Sequence, residues 1–243
     1  MGAMIDMHNH TLFNVDDGSK NFEQSKNMLK MAYNEGIRGI ILTPHYNPYR
    51  WLFDVSGTKE KYDMLCEYCE KTYPKLKLFM GCEIYYGKDT INDLKREMAP
   101  TMAGSNYVLV EFSTAIAYED LRRAVMDVQQ SGYYPILAHV ERYGCLLENS
   151  DYIDELKEFG AFIQVNASGV LGERSKTEKK FIKGLLKSGL VDFVATDAHR
   201  DDMRAPYLRK CADYLEKHYG EEYTEKILKN NQLKVIKNLY IED

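Results

Sequence analysis

Histidine and acidic residues follow the short apolar runs of this sequence, close to the point where each run ends. The first run, residues 4–7, leads into His8 and His10, and Asp17 comes shortly afterwards. Side chains two apart along a strand point to the same side, so His8 and His10 could reach one ion. Alone, such a pair is more often a satisfied polar pair than a metal site.

The same placement recurs along the rest of the chain. Histidines scattered as solvated loop residues would also occur on helices and at strand starts, yet only His218 lies in a helix-like stretch. The carboxyl ends of barrel strands converge on one site, so we predict that these residues ligate metal. The predicted ligands are His8, His10, Asp17, His45, Glu83, Glu111, His139, Asp197 and His199.

So many donors exceed what one tetrahedral ion needs, and imidazole with carboxylate but no thiolate suits Mn, Fe or Zn. We therefore expect two or three ions. Such clusters hold a hydroxide at neutral pH and clamp the attacking and leaving oxygens of a phosphoester during in-line displacement. The sequence thus predicts a metal-dependent phosphoester hydrolase.

Charged and aromatic residues next to these positions could bind the substrate. Arg142 and Arg204 lie just beyond ligand-bearing strands, and a planar guanidinium can bond two phosphate oxygens at once. Either arginine alone would more often be a solvated surface charge. Aromatic residues after the ligand positions could stack on an aromatic leaving group or simply pack at the rim. These are Tyr46, Tyr49, Trp51, Tyr85 and Tyr86.

The elements that must position these side chains alternate between short strands and longer helices, the order of parallel strands joined by crossover helices. About seven βα units allow a barrel or a large open sheet, and the absence of a Gly-rich phosphate fingerprint after the first strand favours the barrel. We expect strands at residues 4–7, 39–43, 76–81, 107–111, 134–138, 162–165 and 193–195. We expect helices at residues 24–35, 59–72, 121–130, 152–159 and 179–187, and a helical tail from residue 206.

Length and composition bound the remaining possibilities. A chain of 243 residues with 44% hydrophobic and 28% charged residues suits one soluble globular domain, which we place at residues 4–243. Residues 1–3 are typical of an expression remnant, with Met4 as the natural start. The net charge of −5, without a basic stripe, argues against a nucleic-acid partner.

The lack of a long apolar run and the number of cysteines indicate where the protein is located. No run approaches the roughly 20 apolar residues that span a bilayer, so we expect no membrane insertion. Five scattered cysteines fit a reducing compartment, and we expect a cytoplasmic protein.

None of these cysteines has an arginine six positions later, which excludes a cysteine-dependent tyrosine phosphatase. No D-x-D follows an apolar strand, which excludes an aspartate nucleophile of the haloacid-dehalogenase type.

Taken together, the motifs resemble the polymerase-and-histidinol-phosphatase (PHP) superfamily. Within it, they are similar to the bacterial protein-tyrosine phosphatases associated with capsule and exopolysaccharide production. The resemblance runs from Met4 to the C-terminus. It rests on the stretches Ile5-Asp6-Met7-His8-Asn9-His10, Val15-Asp16-Asp17-Gly18, Thr43-Pro44-His45, Gly81-Cys82-Glu83-Ile84-Tyr85-Tyr86, Glu111-Phe112-Ser113, Ala138-His139-Val140-Glu141-Arg142-Tyr143 and Ala195-Thr196-Asp197-Ala198-His199.

The resemblance implies a distorted (β/α)7-type TIM-like barrel of the α/β class, with its metal site at the C-terminal ends of the strands. It implies three ions, Mn or Fe and less readily Zn, and as substrate a phosphotyrosine protein that is a bacterial tyrosine kinase. By motif position, one ion would be bound by His8, His10, Glu83 and Asp197, a second by Glu83, Glu111 and His139, and a third by Asp17, His45 and His199.

The resemblance also implies roles around the ions. Arg142 and Arg204 would hold the phosphate, and Asp201 would act on the leaving tyrosine oxygen as a general acid. Tyr46 and Tyr85 are predicted to contact the substrate from their positions after the ligands, not from the resemblance. The loop from Tyr46 to Trp51 is more aromatic than the basic loop of some relatives, which leaves the sequence preference for substrate open.

Two other readings of the sequence stay open. Another PHP phosphatase, acting on a small ester such as histidinol phosphate, would use the same ions. A non-catalytic metal-binding regulatory module would carry the ligands without turnover. The oligomeric state is not predicted.

Overall fold

The strands of this protein pair in parallel throughout the part of the chain that the structure describes. That part, in a computed structural model, comprises residues 2–47 and 54–242. The predicted substrate contacts Tyr49 and Trp51 lie outside it. The strands are Met4–Asn9 (β1), Ile37–Leu42 (β2), His45–Tyr46 (β3), Lys77–Met80 (β4), Glu83–Tyr85 (β5), Tyr107–Glu111 (β6), Tyr134–Leu137 (β7), Phe162–Asn166 (β8) and Phe193–Ala195 (β9).

Helices connect most consecutive strands and pack outside the sheet. Local sequence begins some of them: the side chain of Asn21 accepts a hydrogen bond from the Gln24 amide at the start of α1, and Ser175 does the same for Glu178 at the start of α8. Among the described residues, none of them is long and apolar enough to cross a bilayer. The helices are Phe22–Asn34 (α1), Val55–Thr72 (α2), Thr90–Lys95 (α3), Tyr118–Gln130 (α4), Gly144–Glu148 (α5), Tyr152–Glu158 (α6), Ala167–Leu171 (α7), Lys176–Lys187 (α8), Arg209–Tyr219 (α9), Glu221–Glu225 (α10) and Asn231–Ile236 (α11), with 3₁₀ turns at Met102–Gly104 and Val140–Arg142 and a π-helical turn at Lys226–Asn230.

The strands form two sheets, in the orders β1-β2-β4 and β3-β5-β6-β7-β8-β9. Each sheet continues into the other along the chain, because β3 follows β2 and β5 follows β4 after only two residues. The free edge of β1 also approaches the end of β9, since the His10 amide donates to the Ala198 carbonyl oxygen at 2.8 Å. The result is an α/β fold with a curled parallel sheet, as the sequence predicts at this level.

Two layers of apolar side chains cover the faces of the curled sheet. Along β6, Tyr107 and Leu109 belong to the inner cluster, whereas Val108 and Val110 belong to the outer cluster that the helices cover. Glu111 has the same parity as Leu109, so it continues the inner face at the carboxyl end of the strand. The alternation of side chains that builds the core therefore also directs Glu111, a predicted ligand, toward the inside of the curled sheet at the carboxyl ends of its strands.

The inner layer yields a test of the fold. We predict that Leu109→Ala lowers the free energy of unfolding by about 2–5 kcal/mol, because it leaves a cavity among fully buried side chains. The matched change Leu239→Ala, at a leucine that is 53% exposed, should cost about 0.5 kcal/mol or less. Urea denaturation of both variants measures the difference, and equal losses would contradict the described inner layer.

Candidate metal centre

The predicted ligands meet at the carboxyl ends of the strands. A cavity of about 490 Å³ opens there, and six of the predicted ligands line it: Asp17, His45, Glu83, Glu111, Asp197 and His199. The other three, His8, His10 and His139, are buried beneath it with 2% or less of their surface exposed. The structure therefore brings all nine residues together, although they come from segments spread over the whole chain.

His8 and His10 form the deepest part of the cluster. Their Nε2 atoms lie 3.2 Å apart, and each faces Oε2 of Glu83, at 3.2 Å from His8 and 3.3 Å from His10. Asp197 Oδ1 lies 3.5 Å and 3.6 Å from the same two nitrogens. Both imidazole nitrogens thus face both carboxylates.

Hydrogen bonds on the far side of each ring hold the lone pairs in this direction. The Gln164 side-chain oxygen accepts the His139 backbone N–H, so it accepts from His8 Nδ1 as well, at 3.1 Å. His10 Nδ1 likewise donates to Asp16, at 2.8 Å. In the neutral rings both Nε2 atoms are then acceptors that face each other and two carboxylates, an arrangement that calls for a cation or a proton between them.

The spacing of the donors fits a metal ion. Ligands bound tetrahedrally at about 2.1 Å lie about 3.4 Å from one another. The distances of the His8 and His10 nitrogens from each other and from the Glu83 and Asp197 carboxylates, 3.2 to 3.6 Å, bracket that value. The electrostatics agree in sign: burial would lower the pKa of His10, but neighbouring Asp16 and Glu83 raise it to about 10, so the pocket favours positive charge.

Two further donor groups adjoin the first. Asp17 Oδ1 lies 3.4 Å from His45 Nε2 and 3.5 Å from His199 Nε2. Glu83 and Glu111 approach His139 Nε2 at 2.8 and 3.5 Å. Burial, followed by the charge of Glu83, raises the pKa of Glu111 to about 7, as expected where carboxylates crowd without a cation.

The backbone is strained at three predicted site residues. His139, Asp197 and Arg204 have φ values of 35°, 53° and 56°, in the left-handed region that non-glycine residues rarely adopt. Such conformations persist only where surrounding structure enforces them, and they cluster at functional sites. The strain supports a role in binding or chemistry for this end of the sheet.

Asp16, Gln164 and Asn166 are part of the site but were missed in the sequence. Asp16 Oδ2 also accepts the His45 backbone N–H, at 2.9 Å, and so ties together the first two ligand segments. Gln164 donates to Asn166, which in turn donates to Asp197 Oδ2 at 2.9 Å. Two polar residues with strand spacing inside the apolar β8 were the signal that could have revealed them.

Both arginines predicted to hold phosphate border the cavity, and both contact Asp197. Arg142 donates to Asp197 Oδ2, and Arg204 Nη2 lies 2.8 Å from Oδ1. Burial would raise the pKa of Asp197, but His8, followed by the two arginines, holds it well below its usual range. Arg204 is 45% exposed, so it can reach an incoming anion.

Two other predicted residues lie elsewhere. Tyr46 is 4% exposed and packs in the outer apolar cluster, because β3 turns it toward the helices, so the structure does not bring it to the cavity. Asp201 accepts hydrogen bonds from Gln24 and Asn27 of α1, both at 2.9 Å. These bonds lower its pKa, which disfavours the proton donor predicted from the resemblance. Tyr85, by contrast, lines the cavity.

Fold and site together define an α/β protein with a buried imidazole and carboxylate cluster suited to several cations. The sequence profile described as "Capsular polysaccharide synthesis, CpsB/CapC" matches residues 4–237, and the chain belongs to this family. The predicted family resemblance is thereby confirmed.

Individual relatives agree with this assignment. The chain is 33% identical to tyrosine-protein phosphatase CpsB of Streptococcus pneumoniae over 240 residues, covering 96% of this chain and 98% of the relative. Crystal structures have been described for YwqE from Bacillus subtilis and CpsB from Streptococcus pneumoniae as unique metal-dependent tyrosine phosphatases. One chain from this work superposes on the present structure with a TM-score of 0.91 at 30% identity, covering 98% of this chain and 96% of that one. Histidinol phosphate phosphatase from Lactococcus lactis, with zinc, L-histidinol and phosphate, shares the fold at 15% identity, with a TM-score of 0.60 and coverage of 89% and 94%.

The hydrogen bonds of Gln164 yield a test of the centre. We predict that Gln164→Leu weakens Mn²⁺ binding about 10- to 100-fold, because His8 loses the acceptor that orients its ring. Gln232→Leu is the matched control, since that buried glutamine donates to the Ile227 carbonyl oxygen in the C-terminal helices. Isothermal titration calorimetry measures both affinities. Equal affinities in the two variants would contradict the role of Gln164.

Proposed function

We propose that this protein is a metal-dependent protein-tyrosine phosphatase, a phosphoric monoester hydrolase. The observation that carries the proposal is the convergence of His8, His10 and Asp197 at the spacing of metal ligands, with Glu83 facing the same two imidazole nitrogens. Membership of the CpsB/CapC family and the tyrosine-phosphatase relatives support the same reaction. The function predicted from the sequence therefore agrees with the relatives.

We further propose that two or three ions, Mn²⁺ or Fe and less readily Zn²⁺, bind at the three donor groups. Groups His8/His10/Asp197, His10/Asp17/His45/His199 and His45/Glu83/Glu111 each place their donor atoms within 4.8 Å of one another. His139 would join the last group through its Nε2. When bound, such ions supply a nucleophilic oxygen at neutral pH and neutralise charge on the phosphate.

The protein's own side chains would bind and orient the ester. Arg142 and Arg204 present donors beside the cavity, so two phosphate oxygens can be fixed at once. Arg142 is largely buried and held by Asp197, whereas Arg204 is 45% exposed and so accessible to the anion. Tyr85 would contact the aromatic ring of the substrate. Because both oxygens of Asp201 are engaged by α1, the leaving oxygen needs a proton source other than Asp201 in this conformation.

The finer description of the fold, the partner and the location are also proposals. Counting β2 with β3 and β4 with β5 gives seven strand positions, which supports the distorted (β/α)7-type barrel within a single domain of residues 4–243. A bacterial tyrosine kinase that controls capsule or exopolysaccharide synthesis is the proposed substrate protein, consistent with the family's description. We propose a cytoplasmic location.

The proposed reaction predicts both metal dependence and leaving-group preference. EDTA treatment should abolish hydrolysis of a phosphotyrosine peptide, and Mn²⁺ should restore it. The restored enzyme should favour this peptide over histidinol phosphate by about 100-fold in kcat/KM, because an aryl oxygen leaves more readily than an alkyl oxygen.

The rate of phosphate release measures these activities, and two matched aspartate variants are compared in the same assay. Asp197→Asn should lose the metal-restored turnover, and Asp154→Asn, at an exposed aspartate of α6, should retain it. A rate on histidinol phosphate equal to or above that on the phosphotyrosine peptide would contradict the assignment as a tyrosine phosphatase. Turnover that survives chelation, or a protein that binds Mn²⁺ without any turnover, would reject the reaction itself.

A further inference from the structure

The curled sheet closes where β1 meets β9, and we call this junction the seam. β1 is an edge strand of one sheet and β9 is an edge strand of the other. Across the seam, the Asp197 backbone N–H donates to the His8 carbonyl oxygen at 2.9 Å, and the His10 amide donates to the Ala198 carbonyl oxygen. His8 and His10 come from one side of the seam and Asp197 from the other. The spacing of these three candidate ligands therefore depends on how the two strands are held together.

β1 contains an extra residue, as in a β-bulge, in the stretch that carries His8. Asp6 pairs with Ile40 of β2. Asn9 pairs with Leu42, so three steps along β1 match only two steps along β2. Bulges change the direction of a side chain and are frequent next to active sites. The direction of His8 therefore depends on what stabilises this irregular stretch.

A side-chain hydrogen bond joins the two ends of the bulged stretch. Asn9 Nδ2 donates to Asp6 Oδ2 at 2.8 Å. The orientation of the Asn9 amide is fixed, because its oxygen accepts the Thr11 backbone N–H at 2.9 Å. Asp6 and Asn9 are both fully buried. They thus hold the stretch from which His8 projects.

The same Asp6 carboxylate reaches across the seam to Thr196. Its Oδ1 accepts the Thr196 backbone N–H at 2.9 Å, and its Oδ2 accepts the Thr196 hydroxyl. The hydroxyl oxygen in turn accepts the Ala198 backbone N–H at 3.1 Å, so its hydrogen is available for Asp6. Thr196 and Ala198 flank Asp197, whose φ is 53°. Asp6 therefore also supports the strained turn that carries Asp197.

The contacts of Asp6 differ from those of the candidate ligands. Both of its oxygens accept hydrogen bonds from N–H or O–H donors, which compensate its charge without a cation. A buried carboxylate is costly to desolvate, so an apolar side chain would fill the same space at lower cost. What the carboxylate adds is a fixed geometry between β1 and the segment after β9.

We propose that Asp6 is a positioning residue of the metal centre. Together with Asn9 and Thr196, it fixes the bulge that directs His8 and the turn that carries Asp197. The candidate ligands on the two sides of the seam thereby stay at the spacing that a cation needs. This inference rests on the proposed function and adds the residue that aligns the two halves of its metal centre.

Mn²⁺ binding to an isosteric variant tests the proposal. Asp6→Asn keeps the size of the side chain, but whichever way its amide turns, the NH2 group faces a donor from Thr196 or Asn9. We expect the affinity for Mn²⁺ to fall about 10- to 100-fold, as for other residues that orient metal ligands. Isothermal titration calorimetry measures the affinity.

Asp192→Asn is the matched control, at the other end of β9. Asp192 is 3% exposed and accepts hydrogen bonds from the Ile163 backbone N–H and from Lys157. Its variant should be less stable but should keep the affinity for Mn²⁺ within about twofold, because the two sites are distant. Equal affinities in Asp6→Asn and Asp192→Asn would overturn the proposal.

Two variants of Thr196 isolate the hydrogen bond across the seam. Thr196→Val keeps the shape but lacks the hydroxyl, and its affinity for Mn²⁺ should fall about tenfold. Thr196→Ser keeps the hydroxyl, and its affinity should stay within about threefold of the original. Equal losses in both variants would assign the effect to packing and count against Asp6. This pair decides the question even if Asp6→Asn fails to fold.

A metal-free crystal structure of Asp6→Asn separates this proposal from the proposed function. The distance from His8 Nε2 to Asp197 Oδ1, 3.5 Å in the original protein, should change by about 0.5 Å or more, the tolerance within which binding sites must be held. Such a change supports the role of Asp6 even in a protein without turnover, and an unchanged distance overturns it. An unaltered protein that binds no Mn²⁺ would instead contradict the proposed function.

Discussion

Imidazole and carboxylate donors crowd into a space closed to solvent, and their mutual repulsion is the constraint on which the rest of the structure depends. His8, His10, Glu83 and Asp197 are each 1% exposed or less, and the two imidazole nitrogens lie 3.2 to 3.6 Å from each other and from the two carboxylates. Buried charges are costly unless something of opposite sign neutralises them. Cations at the centre would satisfy that requirement and would also supply the chemistry of the proposed reaction.

The surrounding structure maintains this crowding. Gln164 and Asp16 fix the far side of the His8 and His10 rings, and the backbone at His139 and Asp197 is left-handed. Asp197 contacts both groups of side chains. Its Oδ1 faces the histidines and Arg204, and its Oδ2 accepts from Arg142. In the proposed reaction, metal binding and phosphate binding would therefore be coupled through Asp197.

Much of this arrangement could be predicted, because regular strands carry their own signals. β6 and β9 have the predicted bounds, and ligands at strand ends converge because parallel strands place those ends together. The short strands β3 and β5 were missed, since two or three residues after a break carry no readable period. Tyr46 was assigned to the substrate from its position after His45, but β3 directs it into the core. Contacts such as those of Gln164 and Asp201 join residues more than 150 positions apart, and no local pattern encodes them.

Anomalous X-ray scattering from crystals grown with Mn²⁺, recorded above and below the manganese absorption edge, tests whether the buried cluster binds metal ions. We predict two or three manganese peaks, each surrounded by imidazole nitrogen and carboxylate oxygen from the nine candidate ligands, with His8 and His10 sharing one ion through their Nε2 atoms. Absence of any such peak, or peaks confined to other parts of the surface, would contradict it.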